Sequence, residues 1–246
     1  MKLFQKEFIL QMNFQVISDL YVDGNRYEKF RICGKNLIIA GSLGQIGQDY
    51  TRLIKIFCLY YERVILVPGI YEYIGREMSE VKKYFAELTR ENPKLVVLDN
   101  TSIEIGGMVI FGSTFWSHVL SDPFEDIRIV GKRITRLEWN GLHYQSILAL
   151  EKTISSLDNK TLVVVTHFSP LGTESIHPSY RGGASDADRE RNLFYYSDTV
   201  LQNEKRVKMW IYGRSGYNFS DGKFISNQLV SGGSLELIVG INPIQN

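Results

Sequence analysis

Asp19, Ser42, Tyr71, His167 and Arg214 stand far apart in the chain, yet each sits in a turn that follows a run of β-branched and apolar residues. The turns read Asp19-Leu20-Tyr21, Gly41-Ser42, Gly69-Ile70-Tyr71-Glu72, Thr166-His167-Phe168 and Gly213-Arg214-Ser215-Gly216. In an open α/β sheet the carboxyl ends of the strands converge on one crevice, which is where ligands sit. Five such turns in one chain therefore point to one site. Its inventory is two carboxylates, an imidazole, a guanidinium, three aliphatic hydroxyls and two phenols. Carboxylates and neutral imidazoles are metal ligands, whereas a guanidinium stays protonated and suits carboxylate or phosphate.

The elements that must position these groups are legible as short buried runs. Residues 14–18 (FQVIS), 36–41 (NLIIAG), 63–69 (RVILVPG), 94–100 (KLVVLDN) and 161–167 (TLVVVTH) read as strands that end in polar or glycine turns. Residues 48–61, 76–90 and 142–157 carry apolar side chains at helical spacing. The stretch 102–113 alternates around Gly106-Gly107 and reads as a β-hairpin, and KMWIYG, GKFISNQLV and SLELIVGI read as consecutive strands near the C-terminus. The long irregular stretches are about 113–140 and 168–192, a length that tends to carry function. No repeat, low-complexity tract or linker interrupts the pattern, so residues 1–246 read as a single α/β domain.

Composition narrows the classes. Hydrophobic residues make up 44% and charged residues 22% of the 246, which is ordinary for a soluble globular protein. With 28 basic and 27 acidic side chains, the net charge of +1 gives no clear nucleic-acid or anionic-membrane signal. The apolar runs are too short for a bilayer, which takes roughly 20 helical residues. Lys2, Lys6 and Glu7 break any N-terminal signal-like run. Cys33 and Cys58, with no C-x-x-C pair, read as reduced thiols. A soluble, cytoplasmic protein that makes no use of a membrane is the expectation.

The five turns, in order and with their strands, resemble the motifs of the calcineurin-like metallophosphoesterases: Asp-x-His, Gly-Asp, Gly-Asn-His-Glu/Asp, a strand-end His and Gly-His-x-His. The likeness spans roughly residues 14–230 and includes GSTFWS (112–117), THFSP (166–170), ESIHPSY (174–180) and the tail YNFSDGKFISNQ (217–228). It implies a four-layer αββα sandwich of two mixed β-sheets flanked by helices, and a two-metal site that clamps a phosphate and activates a water. Residue by residue, this chain departs from that site. Asp19 and His167 keep their ligand positions, but Tyr21, Ser42, Ile70, Arg214 and Gly216 stand where the other ligands would be, and Tyr71 replaces the acid–base His. Ile70 has no ligand atom, Gly216 has no side chain, and Arg214 would set a positive charge beside a dication.

The expectation is therefore a catalytically inactive member, a pseudoenzyme with a degenerate metal site, no bound metal and no catalytic residue. It would act through binding or assembly, with another protein or by self-association. The alternatives are an active phosphomonoester or phosphodiester hydrolase with a remodelled site, holding two divalent ions of the Mn, Fe, Zn or Mg class, or a metal-free sensor of a phosphate-bearing ligand or nucleotide. For the sensor, Arg214 and His177 are the anion-binding candidates; otherwise Arg214 is expected to reach Asp19 and pair with it, with Tyr21 and Tyr71 nearby. His143 reads as structural and His118 is left without a role. The mixed-charge segment RGGASDADRERN (181–192) reads as a solvated loop.

Overall fold

A strand such as NLIIA has no polar face, so it needs cover on both sides. The computed structural model, which describes residues 12–21, 31–172, 175, 199, 201–229 and 236–241, provides that cover by layering. In chain order the first half comprises β1 (Met12–Ile17), β2 (Asn36–Ala40), α1 (Gln48–Tyr60), β3 (Arg63–Val67), the single turn α2 (Ile70–Tyr73), β4 (Arg76–Glu77), α3 (Met78–Glu91) and β5 (Leu95–Val97). The hairpin β6 (Thr101–Ile105) and β7 (Met108–Ser113) follows, then β8 (Ile127–Ile129), β9 (Lys132–Arg133), α4 (Arg136–Ser155) and β10 (Thr161–Thr166). A 3-10 turn, Leu201–Asn203, leads into β11 (Val207–Tyr212), β12 (Phe219–Ser220), β13 (Phe224–Ser226) and β14 (Ile238–Ile241).

One sheet has the order β14-β1-β2-β3-β5, with β14 antiparallel to β1 and the other pairs parallel. The second has the order β12-β13-β11-β10-β7-β6, parallel at its centre and antiparallel at both edges. Alternation along the strands divides the core. Phe14, Val16, Ile38, Ile65 and Val67 meet Ile110, Val163, Val165 and Ile211 between the sheets. Ile17, Leu37, Ile39, Val64 and Leu66 face the other way, onto Leu53 and Phe57 of α1 and Val81 and Phe85 of α3. Phe111, Leu162, Val164 and Trp210 pack on Leu150 and Ile154 of α4. The result is the αββα sandwich, helices outside and two mixed sheets within. Among the described residues no helix is long and apolar enough to cross a membrane.

Several boundaries differ from the sequence reading. β5 stops at Val97 because Asn100 takes a left-handed φ of 55° that begins the hairpin. Arg76 and Glu77 form β4, which pairs with β8 and so delays α3. β14 does not follow β13 in its sheet but returns to pair with β1 in the other. α4 starts six residues early, at Arg136, because Thr135 and Glu138 form a capping box. Glu138 Oε2 accepts from the Thr135 N–H at 2.9 Å and from its hydroxyl at 2.8 Å. Thr135→Ala is expected to cost about 1 kcal/mol of stability in urea unfolding; no loss would mean the cap does not set this helix start.

Candidate functional site

The carboxyl ends of β1, β2, β3, β10 and β11 bring the five turns together across the two sheets. Backbone bonds fix their spacing. Asp19 N–H donates to Gly41 O at 3.1 Å, Tyr21 N–H to Ser42 O at 3.3 Å, and Gly213 N–H to His167 O at 3.1 Å. Approach is close enough to require glycine at three positions: a Cβ on Gly69 would lie 2.1 Å from Ser42 N. A Cβ on Gly41 would lie 2.4 Å from His167 Nδ1, and one on Gly213 would lie 2.6 Å from both Ala40 O and Asp19 Oδ2. Of the eight non-glycine residues with positive φ among those described, Asp19 (51°), Tyr21 (47°), Ser42 (50°) and Arg214 (55°) are in these turns. Such backbone costs of order 1 kcal/mol per residue and clusters at functional sites.

The side chains form a connected polar set. Asp19 is fully buried, and both its oxygens are engaged. Oδ2 accepts from the Arg214 backbone N–H at 2.9 Å, and Oδ1 accepts from the Tyr21 hydroxyl at 3.1 Å. Burial pushes the Asp19 carboxyl up to about 6, against the pull of the Arg214 N–H, Ser18 and Tyr21. The Tyr21 ring tilts against Tyr71 with centroids 4.3 Å apart, and Tyr71 is 36% exposed. Ser42 Oγ lies 3.3 Å from His167 Nε2, both groups fully buried. Burial, then the nearby Arg214 charge, hold the imidazole well below its ordinary range, so it is neutral. Ile70 is fully buried among apolar neighbours at the start of α2.

The Arg214 guanidinium pairs with Glu125, while its charge still acts on Asp19. Its Nη2 donates to Glu125 Oε1 at 2.8 Å, with both side chains largely buried, and its Cζ lies 5.0 Å over the Phe168 ring. The expected Arg214–Asp19 contact is thus made by the backbone, and the guanidinium's carboxylate is Glu125. Burial pushes the Glu125 carboxyl up and Arg214 opposes this. Gly216 is exposed at a φ of 64°, its N–H donating to Gln228 Oε1 at 2.9 Å. Gln228 Nε2 in turn donates to Ser215 Oγ and Tyr217 O, so the Ser-Asn-Gln tail holds the last turn in shape.

Glu72 ties the second and third turns together. Its Oε1 accepts from Leu43 N–H at 2.8 Å and the Tyr50 hydroxyl at 3.3 Å, and its Oε2 accepts from Gly69 N–H at 2.9 Å. Burial pushes this carboxyl up to about 8 against those donors. Glu125 was missed by sequence reasoning: it is one acid in an irregular stretch, with no periodicity or motif to mark it. His143 is structural, its Nδ1 2.7 Å from Trp116 O. His118 stacks edge-on to His143 and Tyr144. His177 and residues 181–192 lie outside the described residues. Among the described residues, no three His, Cys, Asp or Glu side chains gather as a metal ion would need.

No family model matches the chain. It is 22% identical over 210 residues to the uncharacterized protein L509 of Acanthamoeba polyphaga mimivirus, covering 76% of this chain and 74% of that one. A second solved structure aligns with a TM-score of 0.50 over 95% of this chain, at 11% identity. The crystal structure of phosphopantetheinyl hydrolase (PptH) from Mycobacterium tuberculosis aligns with a TM-score of 0.64 over 89% of each chain, at 15% identity. A likeness at that identity shows that this chain shares the fold of a hydrolase.

Proposed function

We propose that this chain is a catalytically inactive metallophosphoesterase-like protein that works through binding or assembly. One observation carries the reading: at the strand ends where the resemblance requires metal ligands, the side chains are already paired within the chain, although His167 Nδ1 and Glu125 Oε2 have no hydrogen-bond partner among the described residues. Asp19 has both oxygens engaged, His167 Nε2 faces Ser42 Oγ, and Arg214 is paired with Glu125. A dication would have to displace a phenol and two backbone or side-chain donors, beside a permanent guanidinium charge. In return it would gain one carboxylate and one imidazole, where metal sites normally offer three or four protein ligands. The residues present do not fit a di-metal centre, and no step of hydrolysis is assigned to them.

The test is metal content and phosphodiester turnover on one sample, after incubation with manganese and removal of free ion. No tight metal and no turnover is the expected result. Two bound metals with turnover would replace this reading with the active, remodelled phosphoesterase. The control carries Tyr21→His, Ser42→Asp, Ile70→Asn, Tyr71→His, Arg214→His and Gly216→His. Activity regained there would show a scaffold that is intact but for its chemistry.

A further inference from the structure

Helix α1 buries Tyr50, Leu53, Ile54 and Phe57 against the first sheet and α3. Its outward face is a groove. One concavity of about 780 Å³ runs from Gly47 past Arg52 and Ile56 to Leu59. A second, of about 450 Å³, continues from Leu59 to Pro93 and Lys94 in the turn after α3. Lys55 and Leu59 line both, so the two form one channel over the surface. The part along α1 is about 18 Å long, at a rise of about 1.5 Å per residue. Its middle is apolar: Leu59 is 75% exposed and the adjoining Tyr60 66%, where an outward helix face is ordinarily charged. An exposed apolar surface joined to a concavity marks a contact site.

We propose that this groove takes an acidic amphipathic helix of another protein. Charge selects the occupant. Lys55 is matched by Glu91 at 3.4 Å, whereas Arg52 and Lys94 pair with no acid among the described residues. Every charge that lines the groove and is left unmatched is thus positive. A second copy laid groove to groove, in any register, would bring only cation to cation, and an isologous contact requires that each patch complement itself. A bilayer surface is too flat to fill the concavity, and a nucleic-acid backbone would match the cations but leave Leu59 and Tyr60 uncovered. A helix lying in a groove presents its anchors at i, i+3, i+4 and i+7 on one side. Apolar anchors would meet Ile56 and Leu59, and carboxylates beside them would meet Arg52 at one end and Lys94 at the other.

The groove gives the binding part of the proposed function a partner of definite chemistry, and it rests on that reading only in this respect. The probe is a peptide of about fifteen residues with leucine at helical spacing and glutamate between, compared with one in which lysine replaces every glutamate. Titrated into the protein and followed by amide NMR shifts, the glutamate peptide should move α1 and Lys94 with a dissociation constant on the order of 100 µM, weakened by salt. The lysine peptide should not bind. Leu59→Glu should weaken binding roughly tenfold or more. Arg52→Glu combined with Lys94→Glu should reverse the preference, so that the lysine peptide binds and the glutamate peptide does not. These changes fall on exposed side chains and keep the parent unfolding midpoint. No binding of the glutamate peptide at about 1 mM, equal binding of both peptides, or a preference that the double variant leaves unchanged would overturn the groove. So would shifts of the same amides on concentrating the protein alone, which would mark a second copy as the occupant. A protein that binds neither peptide and lacks metal and turnover removes this proposal alone, whereas binding with turnover removes the inactive reading alone.

Discussion

Arg214→Ala is expected to destabilise the fold by about 3 kcal/mol near pH 8, because it strands a buried carboxylate. The Arg214 and Glu125 side chains are 11% and 5% exposed and pair at 2.8 Å. Among the described residues Glu125 Oε2 has no hydrogen-bond partner, so the guanidinium of Arg214 on Oε1, helped by the nearby Arg133 charge, makes this carboxylate tolerable. Burial already raises the Glu125 carboxyl, with Arg214 opposing, so loss of the guanidinium raises it further. The sign follows: the folded variant holds the Glu125 proton to higher pH than the unfolded chain does. Its stability is therefore greatest below the ordinary carboxylate range and is lost as pH rises through the raised value. Urea unfolding of Arg214→Ala, Glu125→Gln and the double variant should show the penalty at about pH 8, shrinking toward about pH 5, with the double more stable than Arg214→Ala alone. A cost below about 1 kcal/mol at both pH values would class the contact with exposed ion pairs and undo the picture of a site closed by its own side chains. The same argument bears on the restored control, in which Arg214→His would strand Glu125. That protein needs Glu125→Gln as well if it is to report on chemistry rather than on stability.

The parts of this site that the sequence discloses are those set by local pattern. Apolar runs ending in glycine or a polar residue mark strand termini, and parallel topology sends those termini to one edge. Hence Asp19, Ser42, Ile70, His167 and Arg214 could be placed together without coordinates. What joins Arg214 to Glu125 is a contact between residues 89 apart, and nothing in the stretch around Pro123 distinguishes this acid from its neighbour Asp126. The expectation that Arg214 would reach Asp19 named the right residues but gave the contact to the side chain: the hydrogen bond comes from the Arg214 backbone N–H, at a left-handed φ of 55°, while the largely buried guanidinium pairs with Glu125. Helix α4 shows the same limit differently. Apolar residues on both of its faces blur the 3.6-residue period, so its first turn, with outward-facing Leu137, did not read as part of a buried helix. The return of β14 to β1 is a pairing between chain ends, and periodicity carries no information about strand order.

Asp19→Asn is expected to raise stability by about 2 kcal/mol near pH 7.5 and to leave it nearly unchanged near pH 4. Burial lifts the Asp19 carboxyl from an ordinary 3.8 to about 6, so the folded state binds its proton more tightly than the unfolded chain does. Stability from this group is complete below about pH 4 and is lost as pH rises through about 6, a loss on the order of 3 kcal/mol for the shift of roughly two units. Asparagine avoids that loss. Its amide oxygen can accept the Arg214 N–H that Oδ2 now accepts, and its NH2 can donate to the Tyr21 oxygen once that hydroxyl rotates. Asparagine also suits the left-handed φ of 51° at this position. Glu72 titrates in the same direction, to about 8, so the comparison is made between variant and parent across pH rather than on either curve alone. A resident metal would reverse the sign, since an ion that binds only the folded state stabilises it and loses a charged ligand in the variant. Thermal unfolding of both proteins with manganese and with chelator therefore separates the two cases. A gain for Asp19→Asn that ignores the metal marks Asp19 as a buried acid in a closed polar set, whereas a loss that appears only with manganese marks it as a ligand.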